Sequence, residues 1–389
     1  MLTIGLADKL PNFRIDLNRL DDATNLVRAT TLKNYPSLNV PFHSRWRHFF
    51  VNGEDRWAAI ANTKAWRDAA QRARAEFDLA IVSVLLDAGA GPGWRYRDSA
   101  TGTSIGRSEG LALASLEMFV RGTFSSNPDE PLRADADALQ RLSAETLRAG
   151  CQASDNNPLI GIEGRAALLR SLGNAIAVTP DIFAISDTPR PGGLFDRLAG
   201  LAKKNGKIAA PTILAELLRQ LGPIWPSRLS LGSVPLGDCW KHPSIVSDDA
   251  TNGHVPLHKL SQWLAYSLIE PLQTAGISVT DIDGLTGLAE YRNGGLFVDA
   301  GVLAFRNSND AARDHDVASS LVVEWRALTV ALVDRLAEGL RQRLGMDAKS
   351  LPLAKVLEGG TWASGRILAR KRRPDGSPPV KVVSDGTVF

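Results

Sequence analysis

The sequence has few cysteines and no long apolar run. Of its 389 residues only two are cysteine, Cys151 and Cys239, and they lie far apart. A disulfide framework is therefore excluded, and reduced thiols in a cytoplasmic protein are predicted. The amino-terminal stretch MLTIGLADKLPNFRIDLNRL carries charges throughout, and no apolar segment reaches the length that crosses a bilayer. Neither a signal peptide nor a membrane partner is expected.

The sequence also has little net charge. Lys and Arg number 45 against 42 Asp and Glu, a formal charge of +3, and the basic excess is concentrated near the end in RILARKRRPDG. This excess is too small and too local to indicate a nucleic-acid partner. Phosphate-binding loops of nucleotide triphosphatases, a Ser-His-Asp order and paired CxxC motifs are absent too. A small molecule is the expected partner, and the oligomeric state stays open.

One glycine-rich stretch, LLDAGAGPG at residues 85–93, resembles a nucleotide-binding loop. Such a loop must follow a strand and open a helix. Here the preceding segment has apolar residues at helical spacing from Trp66 to Leu85, and no helix opens directly after the glycines. We interpret the stretch as a helix end leading into a turn that lines a pocket. No nicotinamide, methyl donor or other cofactor is predicted.

The apolar periodicity predicts a mainly α protein with one small β element. The clearest helix carries a stripe of buried-type residues from Leu321 to Leu340. The carboxyl-terminal segments RILARKR and PPVKVVSDGTVF flank the turn former Pro374-Asp375-Gly376 and predict a β-hairpin. We expect one compact multi-helix unit over residues 1–389, with 1–150 and 151–389 as candidate subdomains. The predicted helices are 55–88, 108–119, 134–148, 160–172, 211–221, 257–269 and 318–344.

Four candidate metal ligands occur in GDCWKHPS and NGHVPLHK, at Cys239, His242, His254 and His258. Zinc uses cysteine and histidine ligands at short spacings. The gap between the two pairs holds aspartates and a glycine, and one cysteine with three histidines is an infrequent ligand set. Polar loop residues without a metal are the alternative, and the sequence leaves the question open.

Carboxylates crowd the segment DIDGLTGLAEYRNGG, at Asp281, Asp283 and Glu290. If a short helix begins at Asp283, then Asp283 and Glu290 lie two turns apart on one face, as coupled acid and base groups require. Alternatively an aspartate caps the helix and Glu290 pairs with Arg292. Sequence alone does not separate these two interpretations.

Two further charged groups have a structural and a functional interpretation. Glu324 and Arg326 lie on the long apolar helix, where a buried ion pair is the more frequent role of such residues. The segment PFHSRWRHFF carries His43, Arg45, Arg47 and His48, which hold a phosphate or merely cover the start of a helix.

The whole set of motifs resembles a uracil-catabolism family first described as a domain of unknown function. The resemblance is carried nearly end to end by PFHSRWRHF, SVLLDAGAGPGWRYRD, GRSEGLALASLEMF, LGDCWKHP, PLHKLSQWLAYSLIEPL, LTGLAEYRNGGLFVD, VVEWRALTVALVD, LEGGTWASGR and SDGTVF. That family belongs to a pathway that releases urea from uracil after a cyclohydrolase-like enzyme has opened the ring of the uridine nucleotide. The resemblance implies an intermediate of the ribosylurea type and cleavage of its N-glycosidic bond.

A more distant resemblance points to the same reaction. LTGLAEYRNGGLFVDAGVL, VPLHKLSQ, VVEWRALT and LLDAGAGPGW are similar to segments of the queuosine-phosphate salvage nucleosidases, helical enzymes reminiscent of helix-hairpin-helix DNA glycosylases. Those enzymes cleave a base from a ribose 5-phosphate. In them the segment similar to AEYR carries an aspartate that acts on the sugar, and the similar position here is Glu290. LGDCWKHP has no clear counterpart there.

Together the resemblances imply an N-ribosyl hydrolase with Glu290 as a catalytic residue, and the need for a proton donor to the leaving nitrogen adds Asp238 and His242 as further catalytic candidates. Glu290 would stabilise an oxocarbenium-like state and activate water, while His242 or a protonated Asp238 would protonate the leaving nitrogen. Arg292 and Lys259 would neutralise a 5-phosphate. Trp240 would wall the pocket, and Glu324 and Arg326 would hold the segment that bears Glu290. The expected substrate-binding residues are Asp87, Trp240, Lys259, Gln262, Asp283, Tyr291, Arg292, Glu324 and Arg326.

Two other functions remain open at this point. A metal-assisted amidohydrolase would attack the ureido carbonyl with Cys239 and His242 as ligands. A helical protein without catalytic activity would bind a nucleotide or a pathway enzyme.

Overall fold

A computed structural model describes residues 1–203, 205–226, 228–383 and Thr387. These residues are mainly helical, as the periodicity predicts. None of their helices is both long and apolar enough to span a membrane. The α-helices are α1 Leu2–Leu6, α2 Leu20–Asn34, α3 Arg56–Thr63, α4 Ala69–Leu85, α5 Arg107–Val120, α6 Ala136–Gln140, α7 Ala144–Gly150, α8 Ile162–Ala177, α9 Pro180–Phe183, α10 Gly193–Ala202, α11 Ala210–Leu221, α12 Lys259–Thr274, α13 Tyr291–Asp299, α14 Ser320–Leu344, α15 Leu353–Val356 and α16 Trp362–Arg372.

The strands are short, and within the described residues each pairs with a single other strand. They are β1 Phe13–Ile15, β2 Phe50–Val51, β3 Glu54–Asp55, β4 Tyr96–Arg97, β5 Ser104–Ile105, β6 Ala184–Ile185, β7 Thr188–Pro189, β8 Lys207–Ala209, β9 Ser230–Leu231, β10 Val234–Pro235, β11 Cys239–Lys241, β12 His254–Pro256, β13 Ser278–Thr280, β14 Leu303–Phe305, β15 Asp314–Asp316 and β16 Lys381–Val383. The pairs β8 with β13 and β15 with β16 are parallel.

The chain divides into two compact units, each built from separated stretches of sequence. The first, here called the Glu290 unit, comprises Met1–His43, Ser227–Gln262 and Ile282–Val383. The second, called the Asp87 unit, comprises Ser44–Pro226, Trp263–Asp281 and Ser384–Phe389. The unit boundaries thus lie at other positions than the candidate subdomains 1–150 and 151–389.

The Glu290 unit is organised around the long helix α14. Its predicted stripe is buried, and Leu328, Leu332 and Leu336 are fully inaccessible. Helices α2 and α13 pack against α14, and α16 packs against α13. Strand β1 pairs with β14, with Arg14 opposite Ala304. The stripe places the polar residues of α14's first turns inside this unit, where they contact the segments described below.

The Asp87 unit has a separate core of helices α4, α5, α8 and α10. Phe77 of α4 and Phe195 of α10 are buried, and their ring centroids lie 5.6 Å apart. Helix α4 ends at Leu85, so LLDAGAGPG is a helix end, as predicted. The fully buried Arg165 donates hydrogen bonds to the carbonyl groups of Leu86, Ala88 and Gly89. The backbone of this stretch is therefore fixed by an arginine and holds no strand.

Two predicted helices are each divided in the structure. The predicted helix 55–88 becomes α3 and α4, because Asp68 accepts a hydrogen bond from the backbone of Gln71 and begins a new helix there. The predicted helix 134–148 becomes α6 and α7, and Ser143 caps the second of them. A side-chain cap competes with continuation of the helix, and apolar periodicity does not detect it.

The predicted carboxyl-terminal β-hairpin is wrong. RILARKR forms the end of α16, and β16 pairs in parallel with β15, which is distant in sequence. Gly376 does adopt a positive φ of 62° in the expected turn. The turn therefore connects a helix to a strand, because the first arm of the presumed hairpin packs as a helix. Most of SDGTVF lies outside the described residues.

Candidate functional site

Asp238 is the centre of a buried polar network in the Glu290 unit. It precedes β11, and its backbone carbonyl accepts hydrogen bonds where the chain leaves β12 for α12. Arg326 donates to both carboxylate oxygens at 2.8 Å. Trp240 Nε1 donates to Oδ1 at 2.6 Å, and the Lys259 backbone N–H donates to Oδ2 at 2.9 Å. These donors occupy both oxygens.

This network keeps Asp238 ionised. Burial alone raises the pKa of Asp238, but the guanidinium of Arg326 and the hydrogen bonds outweigh burial and leave that pKa below its ordinary value. A carboxyl with a lowered pKa and no free oxygen is unsuited to donate a proton. Asp238 is thus placed to orient Trp240 and Arg326, not to act as the protonated donor that the sequence suggested.

Glu290 lies at the N-terminus of α13, in the N-cap position. Its two oxygens accept hydrogen bonds from the backbone N–H groups of Arg292 at 2.7 Å and Asn293 at 2.5 Å. Arg326 Nε donates to the carbonyl of Ala289 at 3.2 Å. The same arginine that binds Asp238 therefore contacts the segment carrying Glu290, which is the positioning contact that the sequence hypothesis required of Arg326.

The environment of Glu290 favours its protonated form. Burial raises the pKa of Glu290, while the two backbone hydrogen bonds and the charges of Lys259 and Arg292 oppose the rise without cancelling it. A carboxyl with a raised pKa is better able to accept and return a proton than an ordinary surface carboxylate. Glu290 itself thus caps α13, whereas the alternative interpretation of the sequence assigned the cap to an aspartate and paired Glu290 with Arg292.

Cationic and aromatic side chains surround the start of α13. Arg292 is buried, donates to the carbonyl of Gly376 at 2.9 Å and lies over the ring of Tyr291 at 5.0 Å. Lys259 begins α12 and is partly exposed. Gln262 Oε1 accepts a hydrogen bond from the backbone of Thr286 at 3.2 Å. Lys259 is thus the cation of this group that solvent reaches.

His242 and Glu324 form a second buried network in the same unit. Nδ1 of His242 accepts a hydrogen bond from the Ser244 backbone at 3.2 Å, so the proton of the neutral ring lies on Nε2. Nε2 lies 3.0 Å from Ser320 Oγ and 3.2 Å from Glu324 Oε2. Glu324 also accepts from the backbone of Phe13 at 2.7 Å. Both ring nitrogens of His242 therefore have protein partners.

Two predicted site residues have partners outside this group. Asp283 is in a 3-10 turn, where it accepts hydrogen bonds from Arg341 and from the backbone of Leu353, both at 2.5 Å. Asp283 and Glu290 consequently do not share a helix face, and that expectation is wrong. Asp87 belongs to the other unit and binds Arg45 at 2.6 Å.

The candidate metal ligands do not assemble. Within the residues that the structure describes, no group of three or more His, Cys, Asp and Glu side chains is arranged to hold a metal ion. In the pair β11 and β12, Cys239 lies opposite Pro256 while His254 lies opposite Lys241. The side chain of His242 is bound to Ser320 and Glu324, as described above.

His43, Arg45 and Arg47 of PFHSRWRHFF are bound to acidic partners, and His48 lies beside Ser108 and Arg45. Arg45 lies with Asp87 in the Asp87 unit, where Arg47 binds Glu270 at 2.6 Å. His43 belongs to the Glu290 unit and lies 2.8 Å from Glu358. The segment thus forms no common phosphate cluster within either unit.

Asn293, which follows Arg292 in AEYRNGG, is a polar residue of this site that the sequence motifs did not indicate. Its side chain is buried, and its Oδ1 atom has no hydrogen-bond partner among the described residues. Its Nδ2 atom lies 3.4 Å from the carbonyl of Leu288, so the carboxamide turns back towards the segment that leads to Glu290. A buried acceptor without a donor is a place for a water or a ligand hydroxyl. In the sequence, the only indication of this role is that Asn293 is the third residue after Glu290, the N-cap of α13.

Comparison with known proteins gives relatives over nearly the full length. The chain is 40% identical to protein urg3 of Schizosaccharomyces pombe over 390 residues, which span 98% of this chain and 93% of that protein. It is 35% identical to uracil catabolism protein 4 of Lachancea kluyveri over 412 residues, spanning 97% and 92% of the two chains. The family described as a protein of unknown function, DUF1688, matches residues 1–389. The chain therefore belongs to the DUF1688 family, and the Lachancea relative is named for uracil catabolism.

Proposed function

We propose that this protein acts in uracil catabolism and hydrolyses the N-glycosidic bond of a ribosylurea-type compound, in its 5-phosphate form, to release urea. The name of the Lachancea relative supports the pathway. The main support for this reaction is that Glu290 is a buried carboxyl with a raised pKa at the start of a helix. The charges of Lys259 and Arg292 act on this carboxyl. The resemblance of AEYR to the nucleosidase segment supports the same residue.

The proposed step joins a water oxygen to the anomeric carbon while the bond from that carbon to the urea nitrogen breaks. Glu290 takes a proton from the water, and its charge stabilises the oxocarbenium-like state. The electron pair of the broken bond stays on the urea nitrogen, and the proton that Glu290 has accepted returns to that nitrogen. Water is thereby the only co-reactant. In its ionised form, a carboxyl with a raised pKa is a stronger base than an ordinary carboxylate, and this property suits the exchange.

The neighbouring side chains have supporting roles in this proposal. Asn293 Oδ1 accepts a hydrogen bond from the attacking water, since it is a buried acceptor beside the Glu290 segment. The partly exposed Lys259 binds the phosphate as a point charge. Asp238 and Arg326 fix the backbone next to Glu290 through the buried contacts given above, whereas His242 and Glu324 form a separate buried network in the same unit.

The test is an incubation of the metal-stripped protein with ribosylurea and with its 5-phosphate. We expect free urea and an equimolar pentose phosphate, with the phosphorylated substrate preferred. Ammonia or carbon dioxide without urea would instead indicate attack on the ureido group. Absence of product from both compounds, with binding retained, would favour a protein that only binds its ligand.

Glu290→Gln tests the assigned residue. Glutamine keeps one oxygen to cap α13, so folding and substrate binding should be nearly intact, while turnover falls by at least about 100-fold because the proton acceptor is lost. Glu163→Gln makes the same chemical change at a side chain that is 76% exposed and serves as the matched control. Unchanged turnover in Glu290→Gln would remove this residue from the mechanism.

A further inference from the structure

A cavity of about 820 Å³ opens at the carboxyl end of α13, within the Glu290 unit. Its walls are β1, the 3-10 turn Leu17–Arg19, the last residues of α13 and the end of α16. This volume lies in the range of about 300–1,000 Å³ that small-molecule sites occupy. The nine residues of α13 separate the cavity from Glu290 by about 14 Å, at 1.5 Å per residue. It is therefore distinct from the site proposed above.

The walls carry an excess of positive charge. Arg14, Arg19 and Arg372 line the cavity together with Asp16 and Asp299. Arg373 neutralises Asp299 through two hydrogen bonds, of 2.8 and 2.5 Å. Three arginines then remain against one aspartate. Asp16 is itself engaged, because its side chain accepts a hydrogen bond from the backbone of Asn18.

The three arginines are largely uncommitted. In the described part of the chain, the guanidinium of Arg14 has no hydrogen bond or ion pair. Arg19 lies 3.8 Å from Asp22, and both side chains are more than half exposed, which makes this a weak pair. Arg372 donates to the carbonyl of Asp299 at 3.2 Å. That contact covers the carbonyl end of α13, whose partial negative charge would otherwise repel an anion.

Apolar groups complete the cavity. Ile15, Val298 and Ala304 also line it, so it offers a nonpolar surface beside the guanidinium groups. Guanidinium groups bind phosphate oxygens in pairs, and a nonpolar surface suits the remainder of an organic phosphate. We infer that this cavity binds a small phosphorylated molecule of nucleotide size, with its phosphate held by Arg14 and Arg372.

Calorimetric titration of the full-length protein with uridine 5′-monophosphate and with uridine, at constant ionic strength, tests this inference. The two probes differ only in the phosphate. We expect the monophosphate to bind at least about tenfold more tightly than uridine, since only the monophosphate accepts charge-assisted hydrogen bonds from the guanidinium groups. The double variant Arg14→Gln/Arg372→Gln should lose this preference. Equal affinity for the two probes would overturn the inference.

Two control proteins locate the binding. Arg28→Gln/Arg335→Gln makes the same change of charge at exposed positions of α2 and α14 that do not line the cavity, and should bind the monophosphate as the unmodified protein does. Lys259→Met should also bind it, because Lys259 lies near Glu290 and not in the cavity. Loss of binding in Lys259→Met with retention in the cavity variant would contradict the inference. Because binding is measured, the result does not depend on the proposed reaction.

Discussion

Asp238 and Glu290 are both buried carboxyl groups of one unit, yet their pKa values move in opposite directions. Burial raises both, but Asp238 has a guanidinium group on its two oxygens, whereas Glu290 has only backbone N–H donors and more remote charges. A direct counter-charge stabilises the ionised form more than a dipole does. One carboxyl is therefore a fixed charge, and the other can exchange a proton.

Removing the charge of Asp238 should strongly destabilise the protein. Asp238→Asn leaves Arg326 buried without its partner, and breaking such a pair costs about 3–5 kcal/mol. Urea denaturation should show this loss as a lower free energy of unfolding. The double variant Asp238→Asn/Arg326→Met should recover part of it, because it removes the unpaired charge. A direct pair would be contradicted if the loss of unfolding free energy in the double variant equalled the sum of the losses in Asp238→Asn and Arg326→Met.

The pH dependence of stability should report the raised pKa of Glu290. Folding favours the protonated form, so its stabilising contribution is complete below the pKa of glutamate in the unfolded chain and is lost as the pH rises through the higher folded value. Glu290→Gln lacks this titration. The free energy of unfolding of the unmodified protein, minus that of the variant, should thus decrease as the pH rises above about 4.3, the pKa of an unperturbed glutamate. A difference that increases with pH would show a lowered pKa instead.

At the scale of elements, the position of Glu290 depends on how α16 crosses α13. Gly365 of α16 lies against the backbone of Arg292, and a methyl group placed on Gly365 would overlap the carbonyl oxygen and lie 2.9 Å from its carbon. The crossing therefore requires glycine, and it holds the first turn of α13 in place. That turn supplies the two N–H groups that bind Glu290.

Gly365→Ala should shift this first turn and reduce both stability and turnover. Overpacking of this kind costs about 1–3 kcal/mol. Gly200→Ala is the matched control, because Gly200 lies in α10 with no atom within 4 Å of the added methyl group, and there alanine should stabilise the helix by about 0.5–1 kcal/mol. Thermal unfolding and urea release measure the two effects. Similar behaviour of both variants would show that the crossing is not tight.

The sequence located several elements well and others poorly. Helices α5, α8, α11, α12 and α14 begin within two residues of the predicted positions, because each has a clear apolar stripe. No helix was predicted at the positions of α2, α10 and α16, and a helix at the position of α13 was predicted only conditionally. These helices are short or carry polar residues in buried places, such as Thr24, Thr30 and Thr31 of α2. Their helical form is stabilised by packing, which a stripe does not record.

At the scale of the whole molecule, each compact unit is assembled from distant parts of the sequence. In the Asp87 unit, Arg74 of α4 binds Asp196 of α10 at 2.7 and 2.8 Å. In the Glu290 unit, Phe13 binds Glu324 through its backbone at 2.7 Å. A cut at residue 150 would separate the partners in both units.

We expect that neither fragment 1–150 nor fragment 151–389 folds alone. Each would expose core side chains, including Phe77 in the first fragment and Phe195 in the second. Circular dichroism with thermal melting of the separate fragments should show no cooperative transition, whereas mixing or co-expression should restore one. A cooperative transition in either isolated fragment would indicate an autonomous domain within it.

The sequence by itself determined the helical class, the long helix α14 and the helix end at LLDAGAGPG, because these depend on local periodicity and on caps. Resemblance to a family indicated the residues around AEYR, and their role stays a prediction. The tertiary structure decided which charged residues meet. Arg326 binds Asp238, at a separation of 88 residues, and His242 lies beside Glu324. It also separated Asp283 from Glu290 and replaced the expected hairpin by a helix and a parallel strand. Long-range pairing depends on how elements pack, and local sequence patterns carry no record of that packing.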